Sequence, residues 1–287
     1  MKFSIRYILL SMLFVSVGCN QAVEPSPIPY TQRLAEFQTK LTKTGPAPQD
    51  FDQEVPFANV KEIKYKSGNL DLKAWVYTPP GESTAPRPAL MFLHGGFAFG
   101  AGDLQACQVF MDAGYIVMCP MLRGENGNPG AFEMFLGEVE DAKAAAEWLA
   151  QQPSVDKSRI FAFGHSVGGG VSAMLSLRQN VPVHHSGSAG GLYPREVFFG
   201  WSDDCPFDYR DSKECEMRTL FGNIQYMQFP HYAFLGTQDA FGAEGRAATA
   251  EQAKAGGKLT VSSAPGDHFS SFEPALSQYL AICEQSR

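Results

Sequence analysis

Residues 160–170 read IFAFGHSVGGG, and this stretch decides the fold. Its opening residues, Ile160–Phe163, form a continuous apolar run, which predicts a strand buried on both faces of a sheet. The small residues of Gly168–Arg178 predict a helix that follows this strand directly. The intervening Gly164-His165-Ser166-Val167-Gly168 matches G-x-S-x-G, a pattern in which the serine lies at the tip of a sharp strand-to-helix turn. We therefore interpret Ser166 as a candidate nucleophile.

A second glycine-containing turn follows the predicted buried strand Ala89–Leu93. It reads His94-Gly95-Gly96-Phe97, and its glycines let the backbone present N–H groups beside a nucleophile. We expect the amides of Gly96, Phe97 and Val167 to form an oxyanion hole. His94 is interpreted as support for this loop, because the order of the triad in such enzymes places the base after the serine.

The candidate acid and base follow two later predicted strands. Strand His231–Leu235 is followed closely by Asp239, and strand Leu259–Ser262 by Asp267-His268. His268 would accept the proton of Ser166, and Asp239 would orient the imidazole ring. Asp267 is expected to cap the following turn. Competing acids fall in a loop that no strand precedes, namely Asp203, Asp204, Asp208 and Asp211.

Strands and helices alternate along the rest of the chain. This order predicts an α/β fold with a doubly wound, mostly parallel sheet of about eight strands, opened by an antiparallel hairpin at Val60–Lys66 and Leu70–Thr78. The remaining predicted strands are Tyr115–Cys119 and Val181–Ser186, and the remaining predicted helices are Leu34–Leu41, Gln105–Ala113, Gly137–Ala150, Gly245–Ala255 and Ser271–Cys283.

Composition excludes several classes of protein. The chain has 287 residues, of which 44% are hydrophobic and 18% charged, with a net charge of −7. A negative chain of this kind offers no basic surface for nucleic acid, and its apolar runs are too short for a multi-span membrane protein. No cysteine and histidine spacing matches a metal site, and we expect no cofactor.

The sequence of the amino terminus predicts an export signal. Lys2 and Arg6 precede an apolar run that ends at Gly18-Cys19, which resembles a bacterial lipoprotein signal. We expect residues 1–18 to be a signal peptide, Cys19 to be lipidated, and residues 19–55 to form a tether with a short helix. The mature protein would then be exported and anchored to a bacterial membrane. Plain secretion and an accidental apolar start are the alternatives.

One segment of the domain, residues 192–228, has no regular period and is rich in aromatic and acidic side chains. We predict that it forms the roof of the substrate pocket; the alternative is an irregular surface loop. Cys205 and Cys215 lie in this segment, and in an oxidising compartment they could form a disulfide.

Several motifs together resemble the catalytic domain of the prolyl oligopeptidase (S9-type) family and the neighbouring dienelactone-hydrolase-like group. They include His-Gly-Gly after a strand, Arg123-Gly124, the serine turn, Gly236-x-x-Asp239 and Asp267-His268. The resemblance covers residues 58–284 and implies an α/β-hydrolase with Ser166, Asp239 and His268 as its triad. Dienelactone hydrolases proper use a cysteine nucleophile, whereas this chain has a serine.

Two kinds of function follow from these motifs. The first is a serine hydrolase that cleaves a small-molecule carboxylic ester or a peptide. We favour the ester, because peptidases of the family usually carry a β-propeller and only a short segment precedes this domain. The acidic loop could bind an amino-terminal group and is the best argument for a peptidase. The second is a non-catalytic binding lipoprotein, which would be expected to have lost a triad residue. The sequence does not indicate an oligomeric state.

Overall fold

The protein is described from a computed structural model that covers residues 26–81, 83, 85–240, 243–254 and 256–286. The predicted signal peptide and Cys19 lie outside these residues. Among the helices within these residues, none has the length and apolar character needed to cross a membrane.

The core of the fold is an eight-stranded sheet with the order β1-β2-β4-β3-β5-β6-β7-β8. Its strands are β1 Val60–Ser67, β2 Leu70–Tyr77, β3 Arg87–Leu93, β4 Ile116–Pro120, β5 Val155–His165, β6 His185–Ala189, β7 His231–Gly236 and β8 Leu259–Ala264. Strand β2 is antiparallel to β1 and β4, and all other neighbours are parallel. This arrangement confirms the predicted α/β-hydrolase fold with its antiparallel hairpin.

Helices cover both faces of the sheet. They are α1 Tyr30–Glu36, α2 Ala101–Gln105, α3 Gln108–Asp112, α4 Gly137–Gln151, α5 Ser166–Leu175, α6 Val197–Gly200, α7 Ser212–Glu216, α8 Ala243–Lys254 and α9 Phe272–Gln285. Successive residues of β3 face opposite sides, so Met91 packs in the core with α4 and α5 while Leu90 and Phe92 pack in the core with α3 and α9. Burial on both faces explains the continuous apolar runs of the central strands.

Several elements differ from the prediction, including β5, which begins at Val155 rather than Ile160. Strand β6 begins at His185 rather than Val181, and the predicted helix over 105–113 is two short helices with a break at Ala106-Cys107. The first helix spans Tyr30–Glu36 rather than Leu34–Leu41. The shift of β6 has a clear cause: its small polar residues give no apolar pattern, yet all are buried because Ser186 and Ser188 hydrogen-bond to His231 on β7, at 2.7 and 2.8 Å.

The described part of the predicted tether packs on the domain. Tyr30 is fully buried, and its hydroxyl donates to the carbonyl oxygen of Met217 at 2.7 Å. Leu41 forms an isolated β-bridge with Phe207. The N–H of Ala47 donates to the carbonyl oxygen of Gly124 at 3.0 Å. The amino-terminal segment therefore runs from the segment 192–228 towards the carboxyl edge of the sheet.

The predicted disulfide between Cys205 and Cys215 is wrong in this structure, because both residues are buried free thiols. The sulfur of Cys205 contacts Met134 Sδ at 3.6 Å, while the thiol of Cys215 donates to the carbonyl oxygen of Tyr209 at 3.1 Å. Each thiol thus has its own partner, and burial raises the pKa of Cys215 to about 11. Packing of the aromatic side chains, rather than a covalent bond, orders this segment.

Candidate active site

Ser166 lies at a strained turn between β5 and α5. Strand β5 ends at His165, helix α5 begins at Ser166, and the φ angle of Ser166 is +53°, which side chains rarely adopt. A Cβ atom on Gly164 would lie 2.1 Å from the carbonyl oxygen of Gly168, and one on Gly168 would lie 2.1 Å from that of Leu93. Both glycines are therefore required sterically, and the geometry is that of a nucleophile elbow.

The predicted acid and base come together at the same edge of the sheet. His268 follows β8, Asp239 follows β7, and Nδ1 of His268 lies 3.0 Å from Oδ2 of Asp239. Both side chains are buried. This pair requires a glycine that sequence reasoning missed: a Cβ on Gly190, just after β6, would lie 2.9 Å from His268 Nδ1 and 3.2 Å from Asp239 Oδ2. The sequence does contain a pattern that could have indicated this close approach, namely the pair Gly190-Gly191 shortly after a predicted strand.

Three of the other aspartates considered in the sequence hold local turns. The Ser270 hydroxyl and the N–H groups of Ser270 and Phe269 all donate to Asp267, and these hydrogen bonds lower its pKa. It therefore caps the turn that carries His268, as predicted. Asp208 accepts from the N–H of Arg210 at 3.0 Å, and Asp211 caps α7 by accepting from the N–H of Lys213 at 2.8 Å. Asp203 and Asp204 are exposed.

His165 connects the nucleophile turn to His268. Its Nε2 lies 2.8 Å from the carbonyl oxygen of His268, and the two rings are 5.0 Å apart. Burial lowers the pKa of His165 to about 4, so at neutral pH the ring is uncharged. Because the partner is a carbonyl oxygen, Nε2 carries the hydrogen and donates it. No local pattern in the sequence predicts this contact of His165.

A buried ion pair between His94 and Glu125 stabilises the candidate oxyanion loop, His94–Phe97. His94 Nε2 lies 3.0 Å from Glu125 Oε2, and both side chains are buried. Burial lowers the pKa of His94, but the adjacent carboxylate outweighs that effect and the pKa is raised to about 9. His94 therefore supports the loop as a charged partner of Glu125, in agreement with its predicted role.

The loop itself approaches Ser166 closely. Gly96 has a φ angle of +69°, and a Cβ on Gly95 would lie 3.7 Å from the Cβ of Ser166. The N–H of Phe97 donates to the side-chain oxygen of Gln49 at 2.9 Å. Gln49 belongs to the amino-terminal segment, and sequence analysis gave no reason to place it here.

Aromatic rings form one wall beside this loop. The ring of Phe97 packs edge-on against Phe132 at 5.1 Å and against Trp201 at 5.4 Å. Trp201 lies in the segment 192–228, so that segment reaches the candidate oxyanion loop. Phe269, next to His268, is 65% exposed. Within the described part of the chain, no group of three or more potential metal ligands is found.

This combination of fold and site defines a serine hydrolase of the α/β-hydrolase class, and comparisons with known proteins agree. The sequence profile of the X-Pro dipeptidyl-peptidase (S15) family matches residues 67–185. The uncharacterized peptidase YtmA of Bacillus subtilis is 32% identical over 197 residues, which are 62% of this chain and 72% of that protein. The chain belongs to the same family as YtmA, and it is a hydrolase of the prolyl oligopeptidase-like type.

Solved structures of both peptidases and esterases share the fold. Acylaminoacyl peptidase from Pyrococcus horikoshii superposes with a TM-score of 0.63 at 17% identity, covering 79% of this chain and 41% of that one. The puromycin-hydrolyzing peptidase of Mycobacterium tuberculosis gives 0.68 at 18% identity, with 81% and 41% covered. Esterase 2 of Thermogutta terrifontis gives 0.60 at 19% identity, with 79% and 94% covered. The chain thus spans about two fifths of the length of these two peptidases.

Proposed function

We propose that the protein is an exported serine hydrolase that cleaves a carboxylic ester, through an acyl-enzyme formed on Ser166. The observation that carries the proposal is the backbone of Ser166, held at a φ of +53° between two glycines that tolerate no side chain. The chain maintains this strain where a strand meets a helix, and the preceding residue His165 contacts the histidine of the His268–Asp239 pair.

In the proposed mechanism, Nδ1–H of His268 donates to Asp239, which leaves Nε2 as the base. Nε2 takes the proton of the Ser166 hydroxyl as its oxygen attacks the carbonyl carbon of the substrate. The charge that develops on the carbonyl oxygen is stabilised by the N–H groups of Gly96, Phe97 and Val167. His268 then protonates the leaving group. In the second half of the reaction His268 takes a proton from water, whose oxygen attacks the acyl carbon, and returns it to the Ser166 oxygen as the bond to the acyl group breaks.

The preference for esters rests on how the acidic side chains are used. In a peptidase that recognises a free amino terminus, a carboxylate is the expected partner of that charged group. Of the carboxylates in and around the segment 192–228, Glu133 pairs with Arg123, Glu214 with Arg218, and Glu216 with Arg33. Asp208 and Asp211 hold turns, as described above. These five carboxylates already have partners within the fold, and the other three of the segment, those of Glu196, Asp203 and Asp204, lie exposed at its surface.

A serine peptidase is the alternative that a specific observation favours. The match to the X-Pro dipeptidyl-peptidase profile and the relationship to YtmA support peptide cleavage. The exposed carboxylates of Asp203 and Asp204 would be the candidates for binding an amino group. The same three triad residues would act in both reactions.

One set of measurements tests both readings. We expect a fluorophosphonate probe to label Ser166, and Ser166→Ala to lower hydrolysis by at least about a thousandfold while the exposed control Ser154→Ala stays active. A panel of p-nitrophenyl esters and aminoacyl nitroanilides then separates the two substrate classes. Turnover by the Ser166→Ala variant at the level of the unmodified protein would refute the mechanism. Absence of both labelling and turnover in the unmodified protein would leave a non-catalytic binding lipoprotein as the better reading.

Export and lipid anchoring are a separate proposal, which rests on Gly18-Cys19 at the end of the amino-terminal apolar run. We expect the mature chain to begin at an acylated Cys19 and to partition into detergent, since several acyl chains give stable membrane binding and one does not. Mass spectrometry of the mature amino terminus measures this directly. An unmodified terminus at another residue would refute the anchor.

A further inference from the structure

The side chain of Gln49 accepts a hydrogen bond from one of the N–H groups proposed to form the oxyanion hole. Its side-chain oxygen Oε1 accepts the N–H of Phe97 at 2.9 Å, and it lies only 2.5 Å from where a Cβ on Gly96 would be. This oxygen belongs to a carboxamide, so it has the same chemistry as the carbonyl oxygen of a peptide and resembles that of an ester. A substrate whose carbonyl oxygen binds Phe97 N–H cannot do so while Gln49 is in place.

The segment that carries Gln49 is loosely attached. We call residues 47–55 the strap. Two hydrogen bonds hold the strap near its ends. The N–H of Ala47 donates to the carbonyl oxygen of Gly124, and the carboxylate of Glu54 accepts from the N–H of Ala101. Between these points the backbone forms neither helix nor strand, and every side chain from position 48 to position 55 is exposed.

Part of the strap borders a cavity. Residues 51–54 line it together with Trp75, Phe99 and Met121 of the domain. Because the strap is exposed along residues 48–55, its movement would break few buried contacts, and buried contacts are what hold a segment in place. The hydrogen bond of Gln49 is accordingly a contact that can open without unfolding the domain.

We propose that Gln49 is a built-in competitor for the oxyanion hole, which every substrate must displace. This inference rests on the proposed function of Ser166 and the Phe97 amide. The closed state, with Gln49 bound, cannot accept a substrate carbonyl at Phe97; the open state can. The apparent affinity for substrate is then reduced by the fraction of molecules that are open. Once the substrate is bound, Gln49 is already displaced and the chemical step proceeds unhindered.

Substitution of Gln49 tests this arrangement in the full-length protein. A neutral hydrogen bond of this kind changes an equilibrium by about two- to tenfold, so we expect Gln49→Ala to lower KM by that factor with kcat unchanged. Gln49→Glu should act in the opposite direction and lower kcat/KM. Its carboxylate accepts the Phe97 N–H more strongly, and its charge opposes the developing oxyanion. Gln53→Ala, on the same strap beside the cavity, is the matched control and should leave both constants unchanged.

Hydrogen exchange gives a readout that does not depend on turnover. We expect the Phe97 amide to exchange faster in Gln49→Ala than in the unmodified protein, because its acceptor is gone. An unchanged exchange rate, or an unchanged KM, would refute the competitor. A fall in kcat for Gln49→Ala would also refute it, since Gln49 would then assist the reaction. If Ser166 is labelled and active while the Gln49 variants behave as wild type, only this inference fails. If the unmodified protein neither reacts nor turns over, the proposed function fails and this inference fails with it.

Discussion

At the scale of single residues, His165 offers the sharpest test of how His268 is positioned. Because the neutral His165 ring donates to the carbonyl oxygen of His268 at 2.8 Å, its removal leaves that carbonyl without its donor and loosens the turn. We expect His165→Ala to lower kcat about 5- to 100-fold with a smaller change in KM. His165→Gln retains an N–H donor and should recover part of the loss. The exposed His184→Ala is the control, and a kcat for His165→Ala equal to that of the control would contradict the role.

Some residues of the site can be predicted from a short motif around them in the sequence, and others cannot. Ser166, Asp239 and His268 each follow a predicted strand within a short motif, so their positions at the sheet edge could be predicted. Gln49 could not be found in this way, since it meets Phe97 across 48 positions of the sequence through a segment without regular structure. Its placement depends on how the amino-terminal segment crosses the domain, and no periodicity encodes that path.

At the scale of elements, the segment 192–228 should shape the acyl side of the site through Trp201. Its ring packs on Phe97, which carries a proposed oxyanion donor. Replacing the ring opens space there, so we expect Trp201→Ala to raise the ratio of kcat/KM for longer acyl esters over acetate by at least about tenfold. The measurement is a series of p-nitrophenyl esters of increasing chain length.

Phe199→Ala is the matched control for this substitution. Phe199 lies in the same segment, but it is 48% exposed and packs on Tyr209. The control should leave the chain-length profile unchanged. Equal profiles for the Trp201 and Phe199 variants would show that the segment does not form an acyl wall.

The elements themselves were predictable where burial alone determines the sequence. Strand β4 and the inner parts of β3 and β5, Ala89–Leu93 and Ile160–Phe163, are continuous apolar runs because both faces are covered, and their positions follow from that pattern. Strand β6 was shifted because its buried serines satisfy their hydroxyls through His231 on a distant strand. The disulfide was wrong for a related reason, since the partners of Cys205 and Cys215 are set by packing that two cysteines in a loop do not reveal.

At the scale of the whole molecule, five titratable groups with pKa values shifted by burial or by a buried partner divide into two sets. Burial lowers the pKa of His165 and His185 to about 4 and that of His231 to about 3, so these rings are neutral in the folded state. Glu125 raises the pKa of His94 to about 9 despite its burial, and burial raises the pKa of Glu138 to about 7. Groups of the first set, His165, His185 and His231, bind protons more weakly in the folded state than in the unfolded state. Groups of the second set, His94 and Glu138, bind them more strongly in the folded state.

These two sets predict a maximum of stability near pH 6.5. Below the unfolded histidine pKa of 6.5, the three neutral rings gain protons on unfolding, so the free energy of unfolding falls as the pH drops towards about 4.

His94 and Glu138 act in the opposite direction. The stability that protonated Glu138 contributes is lost as the pH rises through about 7, and that of charged His94 is lost as it rises through about 9. We expect the urea midpoint to rise from pH 5 to about 6.5 and then to fall towards pH 9. In the His94→Gln variant, position 94 has no charge to lose at alkaline pH. The urea midpoint of this variant should therefore fall less between pH 7 and 9 than that of the unmodified protein. A midpoint that rises throughout this range in the unmodified protein would contradict the assignment of protons to His94 and Glu138.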